Sequence, residues 1–248
     1  MKICVFLGPS LPLAAAKREL EATYLPPVAE GDLYRATLTQ PAAIGIIDGY
    51  FEVIPAVWHK EILYALKQGI HVFGASSMGA LRGAELAAFG MEGVGAIFEA
   101  YRDGRLEDDD EVAVQHGPAE VGYPVLSEAM VNIRWTLSDA ASAGVISAVT
   151  QAALESGAKS LLYRDRSYAA ILEWARGIGL PEDELSRLDA WLPTGTVDQK
   201  REDALAMLRA MRERFKNGHA PKQVTFHFEH TTLWEQATRL AVARRQAD

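Results

Sequence analysis

Val72-Phe73-Gly74-Ala75-Ser76-Ser77-Met78-Gly79-Ala80-Leu81-Arg82-Gly83-Ala84-Glu85-Leu86 carries an apolar strand through small residues straight into a helix. His71 to Phe73 is short and β-prone, Gly74 to Ser77 removes side-chain bulk, and from Met78 onward Ala, Leu, Arg and Glu favour helix. Ser77 therefore stands at the turn. A serine there either caps the helix through its oxygen or presents that oxygen beside the free amides of the first helical turn. The second arrangement is an oxyanion site. Ala75-x-Ser77-x-Gly79 departs from the Gly-x-Ser-x-Gly elbow only by alanine at its first place, and a small residue there serves the same close backbone approach.

The flanking chain repeats the strand-then-helix order. Lys2 to Leu7 is apolar throughout, as in a strand covered on both faces, and Gly8-Pro9-Ser10-Leu11-Pro12 breaks it. Ala14 to Ala22 reads as helix, ended at Tyr24-Leu25-Pro26-Pro27. Leu33 to Leu38 reads as a second short strand and Ala42 to Phe51 as a third. Asp48-Gly49 falls at the carboxyl end of that third strand, where open α/β sheets place ligands. Asp48 is either a site residue or a turn aspartate before glycine. Pro55 opens a helix over Ala56 to Lys67, and Gly69 closes it. On its wheel Val57, Trp58, Ile62, Ala65 and Leu66 form the apolar face, with Lys60 nearly opposite and His59 flanking, which favours a solvated Lys60.

Phe89 to Gly95 is a glycine-punctuated loop and Ala96 to Arg102 a short helix. Glu107-Asp108-Asp109-Asp110-Glu111 reads as a solvated acidic loop ahead of a strand at Val112 to Gln115; its spacing matches no calcium loop. From Ser127 the pattern turns helical: Ser127 to Ser142, Val149 to Gly157, Ser167 to Gly179, Pro181 to Leu192 and Val197 to Phe215. Asn132 and Arg134, two apart, cannot share one helical face. Val224 to His230 alternates like an edge strand, and a short charged helix ends the chain. The fold expected is α/β: a mostly parallel sheet flanked by helices in residues 1–126, and a mainly helical half in 127–248.

With 49% hydrophobic and 23% charged residues among 248, composition is that of a globular protein with a sizeable core, and no apolar run approaches a membrane span. Met1 to Leu7 enters a core strand without a secretory leader, so a cytoplasmic protein is expected. A net charge of −8 disfavours nucleic acid as partner. The single cysteine, Cys4, excludes an internal disulfide and multi-cysteine zinc sites. Without Gly-x-Gly-x-x-Gly or a Walker-type loop, no cofactor is called for. His219, His227 and His230 lack the surrounding pattern of a metal site, so none is expected.

Five ordered stretches resemble the TfuA-like family: Phe6-Leu7-Gly8-Pro9-Ser10-Leu11; Ile47-Asp48-Gly49-Tyr50-Phe51-Glu52; Val57-Trp58-His59-Lys60-Glu61-Ile62-Leu63; Ala75-Ser76-Ser77-Met78-Gly79-Ala80-Leu81-Arg82; and Asp109-Asp110-Glu111-Val112-Ala113-Val114. They cover about the first half of the chain. The resemblance implies partnership with a YcaO-type ATP-dependent cyclodehydratase that makes thioamides on a peptide substrate. It also implies hydrolysis of the C-terminal thiocarboxylate of a ThiS-like sulfur carrier protein by a serine-lysine pair. In this sequence that pair is Ser77 and Lys60, with Ser76 and His59 as immediate alternatives. Asp48, His59, Ser76, Met78, Gly79 and Arg82 support or bind. An amine acts as base only when neutral, which requires desolvation or nearby positive charge such as Arg82 or His59. The alternative is a non-catalytic module that docks YcaO and its peptide.

Overall fold

The computed structural model describes residues 1–52 and 54–244. They fold as two compact units, Met1 to Leu106 together with the chain from Arg201 onward, and Glu107 to Lys200.

The first unit is built on a five-stranded parallel sheet: β1 (Ile3–Phe6), β2 (Thr23–Leu25), β3 (Ala43–Ile46), β4 (His71–Gly74) and β5 (Glu92–Gly93), in the order β2-β1-β3-β4-β5. Between successive strands lie α1 (Leu13–Glu19), α2 (Asp32–Thr37), α3 (His59–Lys67) and α4 (Met78–Leu86), and α5 (Ala96–Arg102) follows β5. The order reverses between β1 and β3, and the carboxyl ends of strands at such a switch point are the usual ligand position of doubly wound sheets. Each residue of β1, β3 and β4 is buried, which is why these strands read as continuous apolar runs rather than alternating ones.

The two sheet faces have different covers. Cys4, Phe6, Ile44, Ile46 and Val72 pack with Leu33 and Ala36 of α2 and Ile62, Ala65 and Leu66 of α3. On the other face Ile3, Val5, Ala43 and Phe73 pack with Ala15 and Ala16 of α1 and with Ala204, Leu205, Met207, Leu208, Met211 and Phe215 of α10 (Gln199–Phe215). That spacing is one helical stripe. A seven-residue α1 is too short to roof this face, and α10 returns from the far end of the chain to complete it. Burying that stripe ties the C-terminal chain to the sheet.

Two strands expected within the first unit are not formed. Leu33 to Leu38 lies in α2, because the buried Glu61 carboxylate accepts the Gly31 and Tyr34 amides, each at 3.0 Å, and so caps that helix from a distant segment. The missing strand is β2, just before Pro26. At Val224 to His230 the alternation is real: Val224, Phe226 and Phe228 turn inward while Gln223, Thr225 and His227 are exposed, yet among the described residues no strand pairs with it. The segment instead straps across α3 and leads to α11 (Thr232–Arg244), whose Trp234 stacks with Tyr34, Tyr64 and Phe228 at 5.2 to 5.5 Å. The helix expected from Ala56 begins at His59, after Glu61 Oε1 accepts the Trp58 amide at 3.2 Å.

The second unit is helical, with α6 (Met130–Ser142), α7 (Ala148–Ser160), α8 (Tyr168–Gly177) and α9 (Glu182–Gly195). Ser147 and Ser167 cap α7 and α8 by accepting the Thr150 and Ala170 amides. Their core joins Ile133, Leu137, Leu154, Ile171, Leu172, Leu185 and Leu188. Val112 to Gln115 forms no strand; the acidic run instead turns through a short 3-10 helix at Asp109–Glu111, and a single antiparallel bridge joins His116 to Val125.

Candidate active site

β4 ends at Gly74, and within four residues the chain has reversed into α4. The turn is made at Ser76, whose φ is +68°. The Ser77 amide donates to the Ala75 carbonyl at 2.8 Å, closing a three-residue turn around Ser76. With its central residue at positive φ this is the rare, strained form of that turn, and such backbone strain costs about 1–3 kcal/mol. The approach is also close. A Cβ on Gly79 would lie 1.8 Å from the Ile46 carbonyl oxygen, and one on Gly74 would lie 2.1 Å from the Gly79 oxygen. Only glycine lets α4 start so near β3 and β4.

Ser77 takes the N-cap place of α4, but its side chain makes no capping hydrogen bond, so the capping alternative does not account for it. It is 8% exposed. Ser76 is wholly buried, and its Oγ has no hydrogen-bond partner among the described residues, a defect costing about 1–3 kcal/mol. Of the corner amides, Ser77 N donates to Ala75 O, Gly79 N to Ile47 O at 3.3 Å and Ala80 N to Ser77 O. The Gly79 amide, expected as an oxyanion donor, is thus committed to the sheet. The amides of Ser76 and Met78 have no backbone acceptor among the described residues, and that of Met78 is the first of the helix.

Asp48 lies beside this corner. A Cβ on its neighbour Gly49 would meet the Met78 side chain at 2.7 Å. The Asp48 carboxylate is buried and engaged: Oδ2 accepts the Gly8 amide at 2.8 Å and the Ser10 amide at 3.2 Å, and Oδ1 accepts the Ser10 hydroxyl at 2.6 Å. Asp48 therefore shapes the site by clasping the β1 loop. Gly8 and Ser10 are the partners that sequence reasoning passed over, although the break after β1 marked their loop.

The cationic candidates gather elsewhere. Lys60 Nζ donates to Thr231 Oγ1 at 3.1 Å and lies over the Phe228 ring, 5.4 Å from its centroid. The wheel placed Lys60 opposite the apolar face, and the C-terminal strap is what half-buries it. His59 Nε2 lies 2.8 Å from Glu85 Oε2, and Arg82 Nη1 donates to the same oxygen at 2.7 Å, while Arg82 Nε donates to the Val57 carbonyl. Burial raises the Glu85 carboxyl, but hydrogen bonds from His59 and Arg82 outweigh it and hold the group below the ordinary glutamate range. At a rise of ~1.5 Å per residue, Arg82 and Glu85 stand about 7 and 12 Å along α4 from Ser77. The structure brings His59 and Arg82 together with each other rather than with the first turn of α4. Glu85 was legible only as the i+3 neighbour of Arg82.

Compared with known families, residues 48–167 match the model described as TfuA-like protein. This stretch is TfuA-like. No curated protein matches the chain. The TfuA-like segment starts at Asp48, takes in α3, the serine corner and the acidic loop, and ends one residue past Arg166.

Within the TfuA-like segment Glu107, Asp108 and Asp109 are exposed, as a solvated acidic loop requires, while Asp110 and Glu111 are drawn into an ion-pair cluster that the sequence did not suggest. Glu111 is buried. Lys159 Nζ lies 3.0 Å from both Asp108 Oδ2 and Glu111 Oε1 and also pairs with Asp110, so an ammonium fills the place among three carboxylates that a cation would take. The fully buried Arg166 bonds the Asp110 carboxylate, the Asp110 carbonyl and the Ala158 carbonyl. Arg134 makes two bonds to Glu111, while Asn132 turns to Glu128 and Asp198, so the two point to different partners as their spacing requires. His219 packs on Phe215 and His230 on Phe228, and among the described residues no histidine joins a cluster suited to a metal ion.

Proposed function

We propose that the protein is a sulfur-delivery accessory of YcaO-dependent peptide thioamidation, releasing sulfide from the C-terminal thiocarboxylate of a ThiS-like carrier with Ser77 as nucleophile. The observation that carries this reading is the strained corner itself. It sets a serine that does not cap its helix at the carboxyl end of a parallel strand, next to an amide with no backbone acceptor among the described residues. Strain of this kind concentrates at functional turns.

In the reaction the Ser77 hydroxyl gives its proton to a neutral amine, and Oγ bonds to the thiocarboxylate carbon. The Met78 amide stabilises the oxyanion, the carbon–sulfur bond breaks, and sulfide leaves. Water then cleaves the acyl-serine and frees the carrier as its carboxylate. Family resemblance assigns the amine to Lys60, which must leave Thr231 to act. That same contact favours a second reading, in which Lys60 is structural and the protein docks YcaO and its peptide without catalysis. Sulfide release from a thiocarboxylated carrier by the purified protein, and its loss in Ser77→Ala, tests the hydrolase; no release by the wild-type protein leaves the docking module.

A further inference from the structure

We propose that Ser76 is a second oxyanion donor: its hydroxyl and the Met78 amide together receive the oxygen of the carrier's carboxylate or thiocarboxylate terminus. This deepens the reading of Ser77 as nucleophile and rests on it.

Two independent observations meet at one corner. The first is the N-terminus of the nine-residue α4, whose leading amide, Met78, has no backbone acceptor among the described residues and whose dipole favours negative charge. The second is Ser76 Oγ, wholly buried and without a hydrogen-bond partner among the described residues. Buried hydroxyls almost always find partners within the fold. This one is also held in a strained turn directly before the nucleophile, a place where alanine would fill the same volume without an orphaned donor. An acceptor arriving with the substrate satisfies both groups at once. The corner is tightly packed, since a Cβ on Gly49, Gly74 or Gly79 would meet neighbouring atoms at 2.7, 2.1 and 1.8 Å, and the ligand proposed for it is therefore the narrow end of a chain rather than a broad group. A terminal carboxylate or thiocarboxylate has that shape, carries the charge that a helix N-terminus favours, and gains further charge on oxygen when Ser77 attacks. No proton leaves Ser76 in this role; its O–H rotates about Cβ–Oγ to follow the acceptor.

The test compares wild type, Ser76→Ala, Ser77→Ala and the double variant, using thiocarboxylated carrier for turnover and the same carrier ending in carboxylate for binding. Ser76→Ala is expected to lower kcat by about 100-fold, with KM changed by less than threefold, because one oxyanion donor acts mainly in the transition state. Its thermal midpoint should equal or exceed that of wild type, since an orphaned buried hydroxyl is removed. On the Ser77→Ala background, adding Ser76→Ala should weaken binding of the carboxylate-ended carrier by about tenfold, because a carboxylate already carries on oxygen the charge that a thiocarboxylate holds mainly on sulfur until it is attacked. Wild-type kcat in Ser76→Ala overturns the assignment, and so does a loss of kcat that follows a fall in thermal midpoint. If the wild-type protein releases no sulfide, the hydrolase reading fails on its own. Binding then decides: weaker binding in the double variant upholds the anion corner, and equal binding removes it.

Discussion

Replacing Asp48 separates a residue that shapes the site from one that binds in it. Its carboxylate accepts three hydrogen bonds, from the amides of Gly8 and Ser10 and from the Ser10 hydroxyl, all in a buried setting. Hydrogen bonds to a charged group contribute about 1.5–3 kcal/mol each, against about 0.5–1.5 kcal/mol for neutral ones. In Asp48→Asn the amide oxygen takes the place of Oδ2 and keeps both backbone bonds in neutral form. The NH₂ then donates to Ser10 Oγ, reversing the third bond. The expected cost is about 2 kcal/mol. Asp48→Ala loses all three bonds and leaves two amides buried without acceptors, and removing a buried charge offsets part of that. Its expected cost is about 4 kcal/mol, a large share of the ~5–15 kcal/mol that holds a typical domain. Urea unfolding followed by far-UV circular dichroism measures both, with unchanged m showing that the unfolded state is not altered. Sulfide release by folded Asp48→Asn should stay within a few-fold of wild type. A cost below 1 kcal/mol for Asp48→Ala, or lost turnover in a stable Asp48→Asn, refutes the clasp and returns Asp48 to the list of ligand-contacting residues.

Ser77→Ala should abolish sulfide release in a protein that still folds, because the change removes one oxygen from a turn of small residues; release at the wild-type rate sinks the elbow. The same variant should still bind a YcaO-type partner, since docking uses a broad patch, and a more than tenfold weaker affinity by titration calorimetry would make the corner itself the interface. Lys60→Arg tests the amine: a base cannot be replaced by a guanidinium that never deprotonates, whereas a Lys60 that only holds Thr231 and Phe228 tolerates arginine, so near-normal turnover excludes it as base. Acid should loosen the second unit. Burial raises the Asp110 carboxyl, but hydrogen bonds from Lys159 and Arg166 more than reverse this, so its folded pKa lies below the ordinary aspartate value. A depressed carboxyl contributes stability that is present above the unfolded pKa of about 4 and fades as pH falls through the folded one. Asp110→Asn should lower stability at pH 7 and flatten its decline below pH 4, read by thermal melts across that range; an unchanged slope would show that Asp110 is not part of the acid response.

Local pattern alone determined the parallel sheet, the serine turn and the helical second half. Fully buried strands must be apolar at each position, as Ile3 to Phe6 and His71 to Gly74 nearly are, and small residues from Gly74 to Gly79 permit one geometry, a helix starting hard against two strands. The strain at Ser76 and the loss of the Gly79 amide to Ile47 arise only when β3 stands beside β4. Tertiary contacts also overruled local preference. Leu33 to Leu38 became helical because Glu61, nearly thirty residues on, caps it, and Val224 to His230 kept its alternation but pairs with no strand among the described residues. Lys60 sits on the polar side of its own helix, as the wheel required, and is half-buried there by a strap from the other end of the chain. A sequence encodes which face each element must bury, because that depends on spacing within the element. Which distant segment arrives to bury it, and which amides and cations that arrival consumes, depends on contacts that exist only in the folded chain.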